Sequence, residues 1–136
     1  KGKGLPYEDL IQEGAQGLLR GIEKIDLSFS SYIEYLKSYK GKDVLVSSLA
    51  LGCLADAYME LGNVAEAAKC YVSAAKKSAN SFTSPMYLLR AGMAYEMVGD
   101  YQNAINVYNT IKADYPNSNE GFSIEKYIAR AQAEMK

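Results

Sequence analysis

The sequence predicts an all-α protein built from antiparallel helix-turn-helix hairpins that stack on one another. One pattern of apolar and small residues occurs twice, and its two turn glycines, Gly62 and Gly99, give the offset as 99 − 62 = 37 residues. Within each copy these residues recur at spacings of three and four, which places them on one face of a helix. A fixed period of this length is typical of stacked helical repeats.

Each copy predicts two helices joined by a tight turn. The first copy contains Leu51, Leu54, Ala55, Tyr58, Ala67, Tyr71 and Ala74. The second contains Leu88, Ala91, Gly92, Tyr95, Ala104, Tyr108 and Ile111. Gly62 and Gly99 suit the left-handed residue that ends a helix, and Asn63 and Asp100 suit the N-cap of the next helix. We expect the small residues to admit a partner helix and the second-helix tyrosines to fill the space between neighbouring hairpins.

The doubled pattern resembles the tetratricopeptide repeat, and the resemblance covers Val44 to Pro116. The chain departs from that signature at three points. Leu51 and Leu88 stand where the family has Trp, and Ala79 stands where it has a closing Pro. The repeat period is about three residues longer than the usual 34, and the additional residues lie in the linker. The resemblance implies a right-handed superhelix of about seven helices.

We interpret the chain as a single domain over residues 1–136, since its length suits one core. Helical spacing over residues 5–42 predicts a degenerate first repeat, with a differently packed cap as the alternative. Two repeats follow, at residues 44–79 and 84–116. Ser84 and Pro85 are predicted as the N-cap and first residue of a helix, and Pro116 to Ser118 as a stop and restart. Residues 118–135 predict a capping helix whose polar side, including Arg130, faces solvent.

Composition restricts the kind of partner. Hydrophobic residues make up 49% and charged residues 23%, which is the balance of an ordinary folded domain. The net charge is −1, and basic residues are dispersed along the chain, so we expect no nucleic acid partner. No apolar run reaches the roughly 18 to 20 residues that cross a bilayer, so we expect no direct membrane insertion by this segment. The chain begins at Lys1 and has the appearance of a piece of a longer protein, so localisation stays open.

The sequence offers little for catalysis or cofactor binding. It contains no histidine, which removes the commonest general base, and no phosphate-binding glycine loop. The oxygen-rich stretch 114–121 lacks the spacing of a calcium loop. We therefore predict a non-enzyme with no cofactor and no metal.

Cys53 and Cys70 are predicted as reduced, buried thiols. A disulfide bridge across the turn at Gly62 is the alternative.

The resemblance implies a concave groove lined by the first helix of each hairpin. The residues that it assigns to the groove as ligand-binding candidates are Asp56, Met59, Glu60, Met86, Leu89, Met93, Glu96 and Met97, with Leu49 and Gly52 beside them. This lining would be rich in methionine and acidic, which favours a varied apolar partner with basic groups. The alternative is that the methionines pack in the core.

These observations predict a protein–protein interaction scaffold that binds a protein or peptide segment. The segments 82–92 and 124–131 resemble the soluble region of bacterial tetratricopeptide proteins anchored by one membrane helix, which implies a role in the cell envelope or in secretion. The alternative function is a homo-oligomerisation module, in which a second copy fills the groove or an end face.

Overall fold

The computed structural model describes Glu34, Lys37, Ser38 and residues 44–136, and this part of the chain contains five helices and no strand. The helices are α1 (Val44–Glu60), α2 (Val64–Lys77), α3 (Thr83–Met97), α4 (Tyr101–Asp114) and α5 (Asn119–Glu134). Each helix packs against the next, and α3 also contacts α5. The all-α prediction is therefore confirmed for the described residues.

Other predictions reach beyond this part of the chain. The helix pair expected over residues 5–42 lies, apart from Glu34, Lys37 and Ser38, outside the described residues. The handedness of the superhelix and the number of seven helices stay predictions. Among α1 to α5, no helix is both long and apolar enough to span a membrane.

The two hairpin turns have the same backbone geometry. Gly62 has a φ of +76° and Gly99 a φ of +78°, in the left-handed region that glycine enters without steric cost. The residue after each glycine donates its backbone N–H back into the preceding helix, Asn63 to the carbonyl of Tyr58 at 2.8 Å and Asp100 to that of Tyr95 at 2.9 Å. These bonds satisfy carbonyls at the helix end, and the predicted glycine termini are confirmed.

The predicted N-caps are only partly right. The Asp100 side chain accepts a hydrogen bond from the backbone N–H of Asn103 at 3.2 Å, and that of Ser118 accepts one from Gly121 at 2.9 Å. Asn63 stands at the N-cap position of α2, as predicted, and its carbonyl accepts the backbone N–H of Ala67, but its side chain makes no capping bond. The restart of the chain after Pro116 is confirmed, since α5 begins directly after Ser118.

The start of α3 differs from the prediction. The helix begins at Thr83, and Ser84 lies buried inside its first turn, where its hydroxyl donates to the carbonyl of Ala75 at 2.8 Å. Asn80 takes the capping role instead, because its Oδ1 accepts the backbone N–H groups of Phe82 at 2.9 Å and Thr83 at 2.7 Å. Ser84 therefore joins α2 to α3, while the longer Asn80 side chain reaches the free N–H groups at the helix start.

Small residues let the helices approach closely, and tyrosines fill the space between hairpins. Gly92 illustrates this, because a Cβ atom there would lie 2.1 Å from Cε1 of the fully buried Tyr108. The ring of Tyr108 lies 5.7 Å from that of Tyr127 on α5, and the ring of Tyr71 lies 6.3 Å from that of Tyr87 on α3. The prediction that Tyr71 and Tyr108 pack between neighbouring hairpins is confirmed.

Candidate protein-interaction surface

The groove candidates lie on the first helix of each hairpin, α1 and α3, and they differ widely in exposure. We call the exposed side of α1, α3 and α5 the first-helix face. Met97 is 66% exposed and Met93 is 41% exposed, one helical turn apart on α3. Leu49 on α1 is 44% exposed, so these three side chains offer free apolar surface, whereas Gly52 is buried.

The other apolar candidates are already used in packing. Met59, Met86 and Leu89 are half-buried and pack against the hydrophobic core. For these residues, the interpretation as core methionines describes the structure better than a role on an open surface. Glu60 is exposed near the end of α1.

Asp56 belongs to a cluster of three side chains that connects the first two hairpins, which we call the first cluster. The hydroxyl of Tyr71 on α2 donates to Oδ1 of Asp56 on α1. Nη1 of Arg90 on α3 lies 3.8 Å from the same oxygen, which is an ion pair without a hydrogen bond. Both charged side chains are about half-exposed, so solvent screens their attraction.

Glu96 belongs to a second cluster, which connects the second hairpin to α5. The hydroxyl of Tyr108 on α4 donates to Oε1 of Glu96 on α3. Arg130 on α5 donates from Nη2 to Oε1 and from Nε to Oε2, both at 2.9 Å. The Glu96 side chain is only 12% exposed. This two-point contact is the geometry in which arginine binds carboxylate most strongly.

The ionisation of the second cluster follows from its contacts. Burial alone would raise the pKa of Glu96, but the hydrogen bonds from Arg130 and Tyr108 outweigh it, and the pKa lies below its ordinary value. Burial, followed by the hydrogen bond to Glu96, raises the pKa of Tyr108. Glu96 is therefore a bound carboxylate at neutral pH, and Tyr108 is its neutral donor.

These contacts change the electrostatic character expected of the first-helix face. Asp56 and Glu96 were expected to attract basic groups of a ligand, but each is already bound by a tyrosine and an arginine of this chain. Arg130 is half-exposed on the polar side of α5, as expected, but its guanidinium also binds Glu96 and lies 4.9 Å from the centre of the Tyr127 ring. The face offers paired charges and two exposed methionines.

Sequence reasoning missed Arg90 and Arg130 as partners of the two carboxylates. A signal was present, because Tyr87, Leu88, Arg90 and Ala91 recur as Tyr127, Ile128, Arg130 and Ala131. The offset is 130 − 90 = 40 residues and not 37, so it falls outside the main repeat.

The remaining titratable groups form no metal site in the part that the structure describes. No group of three His, Cys, Asp or Glu side chains there could hold a metal ion.

Both thiols are free, with Cys53 exposed and Cys70 half-buried. The prediction that both thiols are buried is therefore wrong, because Cys53 lies on the solvent side of α1.

The described helices and their packing define a protein of stacked helical hairpins. Residues 87–118, which span most of α3 and all of α4, match the family model of the tetratricopeptide repeat. Neither curated proteins nor solved structures gave a match to the chain. Repeats of this family are typically non-catalytic, and their presence supports a general role in protein–protein interaction.

Proposed function

We propose that this domain is a scaffold that holds a polypeptide segment along its first-helix face, which would form a concave groove. The observation that carries the proposal is the exposure of Met93 and Met97 on α3. Methionine side chains are flexible and polarizable, and they adapt to apolar partners of different shape. The ligand would therefore bind mainly through apolar side chains.

The paired charges support an apolar ligand over a strongly basic one. A basic residue of a ligand would have to compete with Arg130 for Glu96, whose oxygens already receive three hydrogen bonds. Breaking these bonds would leave a largely buried carboxylate without its partner, which is costly. Asp56 is more accessible and offers a weaker site for a cation. The cell-envelope or secretion setting is part of the proposal and depends on the sequence resemblance alone.

The test is to place charge on the methionine surface without disturbing either cluster. The variant Met93→Glu with Met97→Glu should lose a polypeptide partner captured by the parent domain from its native source. A matched control, Asn109→Glu with Ala113→Glu, has the same spacing on the exposed side of α4 and should keep the partner. Both variants should unfold within about 0.5 kcal/mol of the parent, since the changed positions are exposed.

The outcome separates a ligand site from a general surface effect. Partner retention by the methionine variant, at unchanged helicity by circular dichroism, would contradict groove binding. Substitution of Glu96 is unsuitable for this test because it would disrupt the second cluster and alter stability.

A further inference from the structure

The loop between α2 and α3 exposes an aromatic side chain on an ordered backbone. Phe82 is 87% exposed, more than any other large hydrophobic side chain in the described part. Asn80 fixes this loop, since its Nδ2 donates to the carbonyl of Ser78 at 2.6 Å and to Oγ1 of Thr83 at 2.7 Å. Its Oδ1 accepts the backbone N–H of Phe82 itself. A phenyl ring presented in this way loses little backbone freedom on binding.

A pocket of about 410 Å³ lies between α2 and α4 and shares this loop. Ala79, three residues before Phe82, forms part of its wall, and Leu88 of α3 also lines it. The remaining lining residues are Val72, Ala75, Lys76, Asn106, Val107, Thr110, Asp114 and Tyr115. The volume and the mainly apolar lining suit a buried aromatic side chain.

The walls of the pocket carry charges of opposite sign. Lys76 stands on the α2 side and Asp114 on the α4 side. The patch therefore contains an aromatic anchor, an apolar pocket and one charge of each sign. Two such patches can meet without net repulsion, because the cation of one copy is matched by the carboxylate of the other.

We infer that a second copy of this chain docks here through a two-fold contact, with Phe82 of each copy in the pocket of the other. An anchor and its pocket on one patch are self-complementary, which is the requirement for an isologous dimer. This surface uses α2, α4 and their loop, so it is separate from the first-helix face. The contact has one aromatic anchor per copy, and we expect a dissociation constant of roughly 10–500 µM.

Sedimentation velocity of the full chain over a range of concentrations tests the contact. The parent should pass from monomer to dimer, and Phe82→Asp should raise the dissociation constant by at least about thirtyfold. Phe82 is 87% exposed and makes no core contact, so this variant should remain folded. Phe122→Asp is the matched control, since Phe122 is 75% exposed on α5 and does not line the pocket, and it should dimerise like the parent.

A mixing experiment tests whether the ring enters the pocket. Thr110→Phe should fill the pocket from α4 and prevent dimerisation, and Ala79→Phe provides a second pocket variant if the first is not helical. Phe82→Asp retains an open pocket and Thr110→Phe retains the ring, so the two monomeric variants should associate when mixed. Their heterodimer keeps one of the two contacts and should be weaker than the parent dimer.

Several results would overturn the inference. They are a parent that stays monomeric up to roughly 1 mM, equal weakening by Phe82→Asp and Phe122→Asp, or failure of the two folded variants to associate when mixed. The variant Met93→Glu with Met97→Glu should dimerise like the parent. Loss of its dimer would place the contact on the first-helix face instead.

Discussion

The two junctions between hairpins use the same three chemical groups and differ in how tightly they are held. At both, a buried tyrosine hydroxyl donates to a carboxylate that an arginine from the following hairpin approaches. Arg90 stands 3.8 Å from Asp56 in a half-exposed pair, whereas Arg130 makes two hydrogen bonds of 2.9 Å to the largely buried Glu96. A recurring set of residues therefore does not imply equal strength, because burial and hydrogen-bond geometry decide it.

The largest expected difference between the junctions comes from their tyrosines. Tyr108→Ala should lower the free energy of unfolding by about 3–5 kcal/mol, because it removes a fully buried ring and one donor to Glu96. Tyr71→Ala should fall at the lower end of the same range, since Asp56 can turn to solvent. Urea denaturation followed by circular dichroism measures both. An equal or larger loss for Tyr71→Ala would contradict the ranking of the junctions.

The arginines give an intermediate effect and the most direct comparison. Arg130→Gln should cost about 1–2 kcal/mol, because it leaves a carboxylate with little solvent access and one remaining donor. Arg90→Gln is its matched control and should cost less than about 0.5 kcal/mol, as expected of a screened pair at 3.8 Å. The same urea titrations apply. If the two variants are equally stable, the two hydrogen bonds of Arg130 contribute nothing measurable.

The smallest expected effect is a pH dependence of the second junction. Because the pKa of Glu96 is lowered in the folded protein, its contribution is present above the unfolded value of about 4.3 and is lost as the pH falls through the folded value. The parent should exceed Glu96→Gln in stability at pH 7, by under about 1 kcal/mol, and the difference should vanish in acid. Thermal melts of both proteins across this pH range measure it. A difference that is constant with pH would exclude Glu96 as the titrating group.

The fold could be predicted because its determinants repeat along the sequence. Gly62 and Gly99 mark the turns through a backbone conformation that other residues avoid, and the tyrosines between hairpins occupy equivalent positions in both copies. The start of α3 was predicted less well. Ser84 has the composition of an N-cap, but burial against α2 uses its hydroxyl elsewhere, and a side chain four residues earlier supplies the cap.

The surface was predicted less completely, because helix position alone does not reveal what a side chain contacts. Met93 and Met97 are exposed on the predicted helix. The expected acidic lining failed to account for Arg90 and Arg130, which come from the following hairpin and reach across the junction. Contacts between hairpins depend on their relative placement, which a repeat pattern within one hairpin does not specify.

The positions of the two carboxylates limit how the hairpins could be exchanged in engineered variants. Asp56 and Glu96 lie 96 − 56 = 40 residues apart, whereas Tyr71 and Tyr108 lie 108 − 71 = 37 apart, so Glu96 sits nearly one helical turn further along its helix. Replacing residues 84–116 by a copy of the equally long segment 47–79, at the offset of 37, would put Met59 where Glu96 stands and leave Arg130 without its acceptor. The two hairpins share the same helix-turn-helix arrangement, but each contacts its own neighbour through different residues, so the two hairpins cannot be exchanged freely.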